Sequence, residues 1–179
     1  MNLKDIIENC LSYLDGEVDV LGSFAENSDK VKLLVRCGNI KIKEIACDYL
    51  PLADECELEV EDSEIKLNAF PKRVKEVLDI TKNGQKLPYK VSPSAIFVNT
   101  SGMVKVKYNY LPVDAKLDGY VEVDSRVSDV ALIYGILSEY CMVTGRYEEG
   151  VYWGQKFENC MQTACRSNRE RYVKSRRWR

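Results

Sequence analysis

The spacing of apolar residues in this chain switches from a helical period to a period of two and back again. Leu3, Ile6, Ile7, Cys10, Leu11 and Leu14 recur every three or four residues, which puts them on one helical face and predicts a helix over 2–14. Asp15-Gly16 ends it, and a loop runs through Gly22 and Asn27. Ser28 or Asp29 offers a side-chain oxygen to the free N–H groups of a second helix. That helix carries Val31, Leu34, Val35, Ile42, Ile45, Ala46 and Tyr49 and stops at Pro51. Gly38-Asn39 lies in its middle, where glycine costs ~1 kcal/mol against alanine and signals a kink or a close helix contact.

The middle third alternates. Glu55 to Glu61, Glu64 to Leu67 and Arg73 to Thr81 are predicted strands. Asn83-Gly84 supplies the positive φ angles of a tight hairpin turn, with Lys86 to Val91 returning from it. Ala95 to Val98 and Met103 to Tyr110 flank a second hairpin turn at Asn99-Thr100-Ser101-Gly102. Helical spacing resumes from Asp124 to Val143, with Gly145 placed as the residue after the helix end. A last helix begins near Tyr147, and the short link makes the two an antiparallel hairpin. Each helical pair is too small to bury its apolar face alone. The expected fold is therefore α+β: an antiparallel bundle of four main helices (1–52 and 124–171), with a small antiparallel β-sheet or barrel (53–123) inserted between helices two and three, and a basic tail (172–179).

At 179 residues such a chain can bury one core of ordinary size without cross-links. Its seven cysteines, at 10, 37, 47, 56, 141, 160 and 165, have no C-x-x-C spacing, and Met1-Asn2-Leu3-Lys4-Asp5 runs straight into an amphipathic stretch without a secretory leader. They read as reduced, mostly buried apolar residues; zinc is the sharper alternative and lacks paired ligand spacing. Histidine is absent, which removes Ser-His-Asp and Cys-His catalysis and His-ligated metal. Phosphate-loop and dinucleotide glycine motifs are missing. The acids from Asp54 to Glu64 alternate along strands, as a solvated face does. No catalytic residue, metal site or cofactor is expected, and no apolar run reaches the ~18 residues of a membrane span.

Charge is unevenly placed. Residues 166–179 hold seven basic groups and one acid, a net +6, which leaves −8 on the preceding 165 residues of a chain whose formal charge is −2. A solvated helix end accounts for Arg169 and Arg171. It does not account for Trp178, whose indole beside Arg176 and Arg177 has the character of an interface anchor. The basic segment (Arg169, Arg171, Tyr172, Lys174, Arg176, Arg177, Trp178) is thus the candidate partner-binding site. A second reading makes the chain a nucleic-acid-binding module that uses this segment and tyrosines such as Tyr108 and Tyr110.

Three segments carry a resemblance: Leu33 to Asn39 continuing to Leu52; Val104 to Pro112; and Leu132 to Cys141 with Gly145-Arg146-Tyr147-Glu148-Glu149, Trp153 and Lys174 to Trp178. Together they resemble the head–tail connector (adaptor) proteins of tailed bacteriophages and prophages. The resemblance implies a subunit of a ring, typically dodecameric, that sits beneath the portal protein, contacts the next neck or tail protein, and lines the channel through which genomic DNA passes without specific binding. It implies a non-enzymatic virion protein of the neck, present in host cytoplasm during assembly, with the basic segment docking onto the portal.

Overall fold

The computed structural model describes residues 1–15 and 28–166. Four α-helices lie among the described residues: α1 (Leu3–Asp15), α2 (Ser28–Glu44), α3 (Asp129–Val143) and α4 (Tyr147–Arg166). Between α2 and α3 lie seven strands: β1 (Leu52–Val60), β2 (Glu64–Lys66), β3 (Val74–Lys82), β4 (Gln85–Lys86), β5 (Tyr89–Val91), β6 (Ala95–Val98) and β7 (Gly102–Tyr110).

The strands form two open antiparallel sheets and not a barrel. The first has the order β1-β7-β3-β4 and the second β2-β6-β5. Closure fails at identifiable residues. Pro88 lacks an N–H and splits the expected returning strand into the two-residue β4 and the three-residue β5. On the opposite edge, the Asp54 carboxylate accepts the Glu55 amide at 2.8 Å, and Glu55, Glu57 and Glu59 stand in solvent, so β1 does not receive another strand. The inner faces meet around Val77, Ile80, Ile96, Val98, Val104, Val106 and Tyr108. The Asn-Gly turn forms as expected, with Asn83 at φ 51° and Gly84 at φ 80°.

Nor do the helices form the expected antiparallel bundle of four main helices. Ala131, Leu132, Ile133, Ile136, Leu137, Tyr140 and Cys141 are all buried and spread over most of the circumference of α3. A helix apolar on nearly every side is a core element. α1, α2 and α4 each pack against it, and α3 and α4 form the adjacent hairpin at the C-terminal side. The helix also starts later than its apolar spacing suggests. The Ser128 hydroxyl caps it by accepting the Ala131 amide at 3.2 Å, while Asp124 bonds the Arg126 guanidinium instead.

Close approaches explain the glycines. A Cβ on Gly38 would stand 3.4 Å from both Ile136 and Leu3, so the mid-helix glycine marks a tight crossing and not a kink. The next residue, Asn39, holds the backbone of Ala115 through two hydrogen bonds, of 2.8 and 3.0 Å, and so fixes the segment that leads from β7 back to α3. A Cβ on Gly135 would lie 3.0 Å from the ring of the buried Phe157. Gly135→Ala improves helix propensity by ~1 kcal/mol, whereas overpacking a filled core costs ~1–3 kcal/mol. The variant is expected to be less stable in urea unfolding, with its secondary structure retained.

Candidate interaction surface

Below α2, the last helical turn widens to a π-turn over Ile45–Tyr49, closed by the Leu50 amide on the Ile45 carbonyl at 2.8 Å. Adjacent residues then face different cores: Ile45 joins the helical cluster and Ala46 the sheet cluster. Tyr49 turns toward α4, where its ring meets Phe157 edge-on at 5.7 Å and its hydroxyl donates to Glu158. The Lys75 ammonium reaches from β3 to the Cys47 carbonyl, satisfying an acceptor at a helix end.

A second seam contact lies at the base of the first sheet. The Lys72 ammonium sits 2.9 Å from Glu122, 3.5 Å from Asp54 and 3.9 Å above the Tyr110 ring. The Tyr110 hydroxyl donates to Glu122 at 2.6 Å. Burial alone would raise the Glu122 pKa, but hydrogen bonds from Tyr110 and Lys72 hold it below the usual carboxylate range. Burial and the Glu122 hydrogen bond push the Tyr110 hydroxyl up. These groups satisfy one another and function as a latch.

Exposed apolar side chains occur in several parts of the structure, Val113 and Tyr120 in the segment after β7 and Val91, Phe97 and Met103 in the sheets among them, and one group lies on the α3–α4 hairpin. Val143, Tyr147, Val151 and Tyr152 are 57%, 66%, 49% and 52% exposed. On one side of α4, Trp153 stacks on Tyr134 with centroids 5.5 Å apart, and Tyr13 and Tyr152 meet it edge-on at 5.4 and 5.1 Å. The Lys156 ammonium lies within 5.4 Å of the Tyr134, Tyr152 and Trp153 rings, a cation–π cluster. The Tyr152 hydroxyl and this ring environment raise its pKa. Further along, the solvent side of α4 presents Gln155, Asn159, Gln162 and Thr163 together with the exposed Glu158, and Glu148 and Glu149 stand exposed in its first turn. Aromatic enrichment is a mark of an interface centre.

The residues expected to bind a partner, Arg169, Arg171, Tyr172, Lys174, Arg176, Arg177 and Trp178, lie outside the described residues. Tyr108 and Tyr110 are not a stacking platform: they are 0% and 6% exposed. The cysteines are unpaired; Cys10, Cys37 and Cys141 are buried and the other four are half-buried. Burial pushes the Cys37 thiol up to about 11. Among the described residues no group of three or more acidic or cysteine side chains is placed to hold a metal ion, and no helix is long and apolar enough to cross a membrane. The hairpin surface escaped the sequence reading because Tyr147, Val151 and Tyr152 follow the helical period closely enough to pass for core. Comparison with protein-family models and with curated proteins finds no match.

The depressed Glu122 pKa has a definite sign in stability. The contribution is complete above the ordinary carboxylate pKa and is lost as pH falls through the lower folded value. Glu122→Gln is expected to lower Tm at pH 7, and the gap to the parent closes below about pH 4. Thermal melts across that range check it.

Proposed function

We propose that this chain is a structural virion protein, a head–tail connector subunit of a tailed bacteriophage that assembles into a ring under the portal. The observation that carries the reading is the exposed aromatic and aliphatic surface of the α3–α4 hairpin, which coincides with the third segment of the sequence resemblance. An isolated subunit gains nothing by holding Tyr147, Val151 and Tyr152 in water, whereas a subunit of a closed ring buries such a face against its neighbour. The ring is dodecameric in this reading, as is typical of such connectors.

Charge supports the same reading. The body of the chain is acidic, which suits a channel wall, because like charge keeps DNA from adhering as it passes. The basic segment from Arg169 to Trp178 then serves the portal, through arginine–carboxylate pairs and the indole. The next neck or tail protein meets the opposite side of the ring. The protein acts in the virion neck after assembly in host cytoplasm and performs no chemistry.

Two measurements test this. Mixed with the portal protein encoded in the same genome, the parent is expected to form rings visible by electron microscopy, and Tyr147→Glu combined with Val151→Glu is expected to abolish them while circular dichroism stays unchanged. Rings formed equally well by the variant would remove the hairpin from the interface. Deleting 172–179 is expected to weaken portal binding at least tenfold without loss of helix content, and unimpaired binding would refute the docking role.

A further inference from the structure

The outer side of α2 carries a stripe of exposed residues at helical spacing: Lys32, Arg36, Ile40 and Lys43. Ile40 stands 42% in solvent within it. Lys32 is paired with Asp29 at 3.2 Å and Lys43 with Asp114 at 2.5 Å. The Arg36 side chain makes no hydrogen bond or ion pair among the described residues, so its charge is open to a partner. The exposed face of α4 has the opposite sign. Glu149 is held by Arg146 at 3.4 Å, but the exposed Glu148 side chain makes no hydrogen bond or ion pair among the described residues. One turn further along lie the half-exposed Val151 and Tyr152.

The two stripes also share a spacing. Arg36, Ile40 and Lys43 follow one another at intervals of four and three residues, and so do Glu148, Tyr152 and Gln155. Equal intervals mean equal rise along two helix axes laid side by side in the same direction. The Arg36 guanidinium then meets the Glu148 carboxylate, Ile40 covers the Tyr152 ring, and the Lys43 ammonium reaches the Gln155 amide oxygen. This match is not made within one chain. α2 is fixed on α3 by Gly38 beside Ile136 and by Lys41 at 3.6 Å from Glu139, whereas α4 is fixed by the Ser138 bond to Gly150 and by Gly150 against Met142. Arg36 and Glu148 form no ion pair there, so a second copy is the partner that carries the matching face. Two α2 stripes turned on each other would bring cation toward cation.

We propose that the α4 face of one subunit docks on the α2 stripe of the next copy, with Arg36 against Glu148 and Ile40 against Tyr152. This deepens the ring reading above, on which it rests for closure, by naming the neighbour's half of the interface. Because the two faces differ, each copy in a chain of such contacts keeps one of each for the next, which is the head-to-tail geometry of a ring. The contact forms between free chains and needs no portal.

Analytical ultracentrifugation of the full chain, without portal, tests it. The parent is expected to associate as its concentration rises, and to pass beyond the dimer. Arg36→Glu alone, or Glu148→Arg alone, is expected to weaken association at least tenfold with circular dichroism unchanged. Both positions are exposed, so neither change touches the core. Joining the two substitutions in one chain rebuilds the ion pair in reverse, and mixing the two single variants in equal amounts rebuilds it between chains. Each is expected to restore association to near the parent level. The proposal is overturned if the parent stays monomeric at millimolar concentration, if either single variant associates as the parent does, or if neither the combined variant nor the mixture recovers. The connector reading fails on a different result, the absence of rings with the portal, and it stands if rings form there while any of these outcomes removes the α2 contact.

Discussion

The fold depends on the burial of α3. A helix with apolar side chains around most of its circumference cannot lie on a surface, so the other helices are drawn around it as a wall. Gly38 lets α2 approach, with Ile136 of α3 and Leu3 of α1 beside it. Gly135 lets the Phe157 ring of α4 come close to α3, since a Cβ there would lie 3.0 Å from it. The buried Ser138 hydroxyl donates to the Gly150 carbonyl at 2.8 Å and holds α4 in register along α3. Once α4 is fixed on one side by these contacts, its opposite side has no further apolar demand to meet, which is why tyrosine and valine there stay in water.

Sheet and helices meet along a seam of specific contacts. The π-turn adds one residue to the last turn of α2, and that extra residue turns Ala46 toward the sheet while Ile45 stays with the helices. Lys75 ties β3 to the same turn, and Lys72 with Glu122 closes the other end. Each of these side chains comes from a strand or loop and satisfies a group on the far side of the seam.

Much of this was legible in the order of residues. The alternation of Glu57-Leu58-Glu59-Val60 marked β1, Asn83-Gly84 marked a turn, and Gly145 marked a helix end, because local backbone preference and solvent exposure act there together. The arrangement of the helices was not legible. Val130, Tyr134 and Leu137 keep a helical period in α3, and a period alone does not tell a one-sided stripe from the all-round burial that Ile133 and Ile136 complete. The open sheets were hidden for a different reason: whether edge strands join depends on Pro88 and on the Asp54 side chain, each acting on a single amide. The candidate surface was masked by its own regularity, since Tyr147 and Val151 look like core until α4 is seen to have only one packed side. The basic segment was read from charge alone and lies outside the described residues.

Leu52 at the start of β1 and Tyr110 at the end of β7 are direct antiparallel partners. The chain thus leaves the helices and comes back to them at points only ~5 Å apart. A length of sheet inserted at so narrow a gate puts little strain on its host, and it can grow, shrink or be exchanged over generations while the helical framework keeps its shape. A change of length in the β module therefore disturbs the helices little, whereas any change of volume in the buried α3 is felt by all three helices packed on it.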